Sequence, residues 1–498
     1  MARKTVHVCS DCGAQEAKWH GQCPTCGAWN TLVEEAISQQ PSGTRGGASG
    51  RGRSVGERPA PRPLREVGAA PVRRLPSGIG ELDRVLGGGL VPGSLTLLGG
   101  SPGIGKSTLT NMVLGHLAGA GHSTLYVSGE ESAEQVRLRA ERLTGAQPAG
   151  ERGGTVVPLR PSGALDVPIL AETELEAVLD TLAALRPDVC VIDSVQTLRS
   201  GELSGAPGSV GQVREVAARV MELAKQQSTA VILVGHVTKD GALAGPRVLE
   251  HLVDCVLQFE GERERPYRKL RALKNRFGST NEAGLFEMRQ GGLVEVLDAS
   301  ARFVAGATRA PGSVVLATME GSRPLLVEVQ ALVARSELEQ PRRVVSGLDR
   351  NRLALVLAIL ARHGGVSTGG SDVFVNVVGG VRVEEPGCDL AVALAVASAA
   401  SGRPLGGGSD GAPRACFGEL GLTGELRWVG HPERRLDEAA RHGLGEVIAP
   451  PDSDERARSA ANLREALALG LPPGRITASR GSRRAPAEVG AEPAIGAV

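Results

Sequence analysis

Aromatic residues are scarce: three tryptophans, two tyrosines and six phenylalanines make up 2% of the 498 residues. So few rings offer few platforms for stacking unpaired bases. Any grip on a single strand must therefore run mainly through phosphates and weaken steeply with salt. A dominant charge is missing as well. Lysine plus arginine number 56 and aspartate plus glutamate 55, a net charge of +1, so nucleic-acid contact would need local basic patches. Long apolar runs are absent: the longest, 390–400, falls short of the ~18 residues a membrane span needs. No apolar run precedes Cys9, so the N-terminus does not read as a secretory signal. These features point to a cytoplasmic protein without membrane contact.

The chain is long enough for two or three cores. Residues 1–35 form a cysteine-bearing module, and 36–72 read as a flexible basic linker. From Pro41 to Arg74 eight arginines face two glutamates with almost no large apolar residue, too little apolar surface to offset ordering entropy. Over 73–300, apolar strands (94–98, 124–128, 189–193, 230–235) alternate with amphipathic stretches (108–117, 134–143, 172–185, 213–225). That alternation predicts an α/β fold with a mainly parallel sheet covered on both faces. Residues 305–478 form a second α/β unit, with strands near 324–333 and 374–378 and helices over 351–361 and 389–400. The last stretch, 479–498, has no periodicity and is expected to be disordered.

Of eight cysteines, Cys190, Cys255, Cys388 and Cys416 are scattered in apolar surroundings and read as core residues. Cys9-x-x-Cys12-Gly and Cys23-x-x-Cys26-Gly are two knuckles ten residues apart. Each presents two thiolates at one corner, and together they complete a closed tetrahedral Zn²⁺ site with a structural role.

The strongest signal is Gly100-Ser101-Pro102-Gly103-Ile104-Gly105-Lys106-Ser107, followed by Thr108. It fits G-x-x-x-x-G-K-[ST] between an apolar strand and a helix, the setting in which glycines turn backbone amides around the phosphates of ATP. Lys106 is expected to reach the β- and γ-phosphates and Ser107 to ligate Mg²⁺. Asp193 ends an apolar strand, where it would serve the same Mg²⁺. A strand running into Glu130 and Glu131 offers a base for the attacking water; Glu130 is favoured, with a helix-start carboxylate as the plain alternative. His236 ends another strand and reads as a γ-phosphate sensor or as a packing residue.

The segment entering the phosphate loop, LPSGIGELDRVLGGGLVPGSLTLLGGSPGIGKST, and the later VIDSVQT resemble the RecA/KaiC-type ATPase core. Lys274-Asn275-Arg276-Phe277-Gly278 resembles the KNRFG motif of the RadA/Sms family, as does the N-terminal four-cysteine module. That resemblance implies a homo-oligomer, a hexameric ring with ATP sites between subunits. It also implies binding to single-stranded DNA and branched recombination intermediates, and ATP-driven branch migration alongside the RecA recombinase. Lys274 and Arg276 would then reach from one subunit to the next subunit's nucleotide or to DNA. The resemblance further places 194–211 and 237–251 around a central channel, which makes Arg199, Arg214, Lys239 and Arg247 DNA-contact candidates.

VEEPGCDLAVALAVASAA and the later GELGLTGELRWVGHPERRLDEAARHGLGEVIAP resemble the Lon protease domain. The positions of its nucleophilic serine and dyad lysine fall on Asp389 and near Glu433. Acyl transfer through such a pair needs a hydroxyl and an amine, and neither is present. A scaffold without peptidase activity is expected. Two other readings are an ATP-gated signalling ring of the KaiC type and an ATP-dependent protease.

Overall fold

The computed structural model describes residues 5–9, 14–36 apart from positions 26, 28 and 30, position 63, and 73–145, 156–158, 161–203, 205–236, 248–261, 266–406 and 413–471. The linker expected over 36–72, apart from positions 36 and 63, and the tail over 479–498 lie outside the described residues. No helix among the described residues is long and apolar enough to cross a membrane.

Strand direction organises the central unit. Six strands run parallel in the order Cys255–Glu260, Leu95–Gly100, Ala230–His236, Val189–Asp193, Thr124–Ser128 and Ile169–Ala171. Their near-continuous Val, Ile and Leu content suits strands buried on both faces. Side chains alternate between two cores. Leu98, Val191 and Val234 pack with the helices Gly80–Leu86, Lys106–Gly119 and Ala133–Gly145, while Leu97, Ile192 and Leu233 pack with Leu175–Leu185 and Val210–Gln227. The RecA-like α/β architecture expected from the sequence is therefore present.

The sheet is larger than the sequence pattern suggests. Tyr267–Asn275, Ala283–Arg289, Gly292–Val296 and Val156–Pro158 extend it antiparallel to ten strands. The expected helix over 172–185 is shorter at its start, because Ile169–Ala171 is the edge strand and the helix begins at Leu175.

A three-stranded antiparallel sheet carries the N-terminal module, in the order Gln15–Glu16, Thr5–Cys9, Leu32–Ala36. The C-terminal unit holds a seven-stranded mixed sheet, Arg343–Ser346, Ser371–Val377, Arg323–Arg335, Ser313–Glu320, Ala415–Cys416, Val447–Ala449 and Arg458–Ser459. Against it lies the helix Asp389–Ser401, buried from Asp389 through Ser398. A helix enclosed on all sides must be apolar all round, and its run of alanines lets its neighbours approach closely.

The two larger sheets are joined by a buried ion pair. Glu81, 1% exposed, accepts a 2.7 Å bond from Arg323 Nη1 and a 2.8 Å bond from the Leu285 amide. Arg323 also donates to the carbonyls of Val296 and Leu297. Removing one partner of such a pair strands the other charge, a cost of about 3–5 kcal/mol. Arg323→Ala is expected to lower stability by about that amount, read as a shift in the urea-unfolding midpoint; an unshifted midpoint would show that water replaces the guanidinium.

Candidate nucleotide site

The phosphate loop leaves the sheet where three strands end together. Gly100 pairs with Phe259 on one side and His236 on the other, and a Cβ at Gly100 would lie 2.7 Å from the Phe259 carbonyl. Only glycine fits there. Gly105, at φ 115°, starts the helix Lys106–Gly119 from a left-handed conformation that a side chain would strain. The loop runs straight into the N-terminus of that helix, the setting in which backbone amides cradle phosphate.

Lys106 is 5% exposed, and its Nζ donates to the carbonyls of Gly100 at 2.7 Å and Ser101 at 3.2 Å. The ammonium is folded over the loop's own backbone. Burial lowers its pKa below the usual lysine value, while Asp193 and Glu130 act in the opposite direction. Ser107, half-buried, follows at the first helical turn, with Thr108 beside it.

Asp193 is the last residue of its strand and is 7% exposed. Its Oδ2 accepts a 2.6 Å hydrogen bond from the Tyr126 hydroxyl. The turn carrying Glu130 is tied to the same place. The Gly129 amide donates to the Asp193 carbonyl at 2.8 Å, a Cβ at Gly129 would lie 2.1 Å from Thr197 Oγ1, and the Ser194 hydroxyl donates to Glu130. Glu131 is instead paired with Arg139. Of the two carboxylates, Glu130 is the one that bears on Lys106. The His236 backbone reaches the same edge beside Gly100.

Lys106, Ser107, Asp193 and Glu130 therefore share one sheet edge. A buried ammonium, an amide cradle with no room for side chains, a hydroxyl and a strand-end carboxylate form a donor set that fits a nucleoside triphosphate with its divalent cation.

Lys274 and Arg276 lie elsewhere. Tyr267–Asn275 runs antiparallel to its neighbour, so Lys274 pairs with Val256, which pairs with Leu97. That register sets Lys274 three strand residues back from Gly100, roughly 10 Å at about 3.3 Å per residue, with the chain leading away from the phosphate loop. Lys274 Nζ donates to the carbonyls of Glu250 at 2.7 Å and Val253 at 2.9 Å, closing the C-terminal end of the helix Val248–Leu252. Its pKa lies below the usual lysine value, first through burial and then through Arg276. Arg276 is half-exposed and pairs with Asp254 at 2.9 Å, whose other oxygen accepts from the Leu95 amide at 3.1 Å. The turn is held in shape by Asn275 Oδ1, which accepts from the Phe277 amide, and by Arg74, which donates to the Phe277 carbonyl.

The DNA-contact candidates are scattered. Arg199 is exposed and pairs with Glu174 at 3.3 Å; Arg214 is exposed on the helix Val210–Gln227; Lys239 and Arg247 lie outside the described residues. In the N-terminal module Cys9 and Cys23 are buried in one cluster with Leu32, and Gly27, at φ 75°, closes the second knuckle by donating to the Cys23 carbonyl at 2.8 Å. Cys12 and Cys26 lie outside the described residues.

In the C-terminal unit Asp389 is buried, takes two bonds from Arg352 at 2.7 and 2.6 Å, and accepts from the Leu420 amide. Glu433 is exposed. Two residues on, Arg435 is 1% exposed and grips both oxygens of Glu385 at 2.6 Å, with its guanidinium 5.3 Å over the Phe417 ring. Sequence reasoning missed Tyr126, Asp254, Arg352 and Arg435, whose partners all lie far off along the chain. A tyrosine in a chain with only two was the one available hint.

The family model described as KaiC, an ATPase, matches residues 75–300, and that of the rubredoxin metal binding domain matches 7–34. The DNA repair protein RadA of Pseudomonas aeruginosa is 51% identical over 450 residues, 90% of this chain and 93% of that protein. The DNA repair protein RadA of Bacillus subtilis is 44% identical over 449 residues, 90% of this chain and 92% of its own length. The Streptococcus pyogenes serotype M1 protein of the same name is 46% identical over 458 residues, covering 91% and 93%.

Lys106→Ala should leave the far-ultraviolet circular dichroism spectrum intact while lowering phosphate release from ATP by about 100-fold or more, the scale for losing a charge aimed at the transition state. Turnover near wild type would remove Lys106 from the site.

Proposed function

Because the chain belongs to the RadA family of DNA repair proteins, we propose that it is a DNA-stimulated ATPase working in homologous recombination, a ring that translocates on single-stranded DNA and drives branch migration. ATP binds on the phosphate loop, where Lys106 exchanges the Gly100 and Ser101 carbonyls for the β- and γ-phosphates. Ser107 and Asp193 hold Mg²⁺, which when bound offsets phosphate charge. Glu130 takes the proton of the attacking water, and His236 senses the γ-phosphate. Lys274 and Arg276 serve the next subunit's nucleotide, so the site is complete only in an oligomer, a hexamer in this reading. Arg199, Arg214, Lys239 and Arg247 track the phosphates of the threaded strand. Cys9, Cys12, Cys23 and Cys26 hold a structural Zn²⁺.

The observation that supports the shared site is the placement of Lys274. Strand direction puts it back from the phosphate loop of its own subunit, while phosphoryl transfer calls for cations beyond the one on the loop. The C-terminal unit is a scaffold in this account: Asp389 is paired with Arg352 and Arg435 with Glu385, and neither Asp389 nor Glu433 offers the hydroxyl or the amine of a dyad. RecA and branched intermediates are the proposed partners.

At low salt, single-stranded DNA is expected to raise ATP turnover, and the stimulation should fade as salt rises. Lys274→Ala should still bind nucleotide yet lose DNA-stimulated turnover and branch migration in a strand-exchange assay. A Lys274→Ala protein with full stimulation and strand movement would refute the shared site. Turnover indifferent to DNA at low salt would favour the KaiC-type signalling reading.

A further inference from the structure

Tyr126 is a large polar side chain packed against Asp193, and no part in the site has yet been assigned to it. It sits mid-strand in Thr124–Ser128, beside Val191 of the neighbouring strand, with 1% of its surface exposed. Its hydroxyl donates to Asp193 Oδ2 at 2.6 Å. A carboxylate at a strand end can rotate about its last side-chain bond. A phenol fixed by packing on one oxygen stops that rotation and presents the other oxygen in a single orientation. A phenol keeps its proton at neutral pH and so serves as the donor in this bond.

The ring also lines a cavity of about 470 Å³, together with Asn111, Ala133, Val136, Ala140 and Leu165.

We propose that Tyr126 is a positioning residue for the divalent cation: it locks one oxygen of Asp193 so that the other meets the metal carried by the nucleotide. Tyr126 governs metal engagement and leaves nucleotide affinity alone. This rests on reading Asp193 as a metal-side residue.

The test uses the full-length protein saturated with ADP, titrated with Mn²⁺, with free Mn²⁺ followed by electron paramagnetic resonance. Tyr126→Phe keeps the ring and removes only the hydroxyl. It should weaken Mn²⁺ binding by about 10-fold, the lower end of the effect of losing an outer-shell partner, and leave ADP affinity in EDTA unchanged. Tyr126→Ala should weaken it further; if that variant does not fold, the Phe variant still decides. Wild-type Mn²⁺ affinity in Tyr126→Phe would overturn the proposal and make the bond mere satisfaction of a buried phenol. Asp193→Asn separates the two layers. If it binds Mn²⁺ like wild type, the reading of Asp193 fails; if it loses Mn²⁺ while Tyr126→Phe does not, only the role of Tyr126 falls.

Discussion

Strand polarity is the constraint on which the rest of the molecule depends. Six strands pointing the same way deliver their carboxyl ends to one edge, and Gly100, Ser128, Asp193 and His236 arrive there together. The loops that follow need only a few residues to bring Lys106, Glu130 and Asp193 within range of one another. The antiparallel strand Tyr267–Asn275 must then run the other way, and so it carries Lys274 and Arg276 back from that edge. A single sheet thus separates Lys106 from the cations of the KNRFG turn. The connection that remains inside one subunit is Asp254, which holds Arg276 on one oxygen and the first amide of the phosphate-loop strand on the other.

Charge is handled differently in the C-terminal unit. Asp389–Arg352 and Glu385–Arg435 are largely buried pairs with further hydrogen bonds to backbone. Such pairs gain little over apolar side chains of the same size, but losing one partner is costly. They fix geometry, which suits a rigid scaffold. With Arg323–Glu81 the same device reaches across to the central unit.

Much of this is legible in the sequence, and the reason is contiguity. The phosphate loop is eight consecutive residues flanked by a strand and a helix, so its chemistry can be read without the fold; Asp193 directly follows the apolar run Val189–Ile192. The antiparallel extension hides itself. Along Tyr267–Asn275 the inward positions include Arg268, 5% exposed and donating to the Ile104 carbonyl, and a charge at an inward position masks the period-two signal. Tyr126 and Asp193 are 67 residues apart, Glu385 and Arg435 are 50 apart, and only strand and helix order brings them together. Arg435, one of the buried cations of the second unit, lies two residues from Glu433, the position singled out by resemblance, because a helix face and not a motif decides which side chain points inward.

The claim most exposed to refutation is that each hydrolytic site is built by two subunits. Mixing Lys106→Ala protein with Lys274→Ala protein tests it directly, since each is expected to be inactive alone with DNA. If the site is shared, mixed assemblies regain DNA-stimulated ATP hydrolysis, because a Lys274→Ala phosphate loop then receives Lys274 from its Lys106→Ala neighbour. If mixing yields no more turnover than the two variants assayed separately, the cations act within one chain and the account is contradicted.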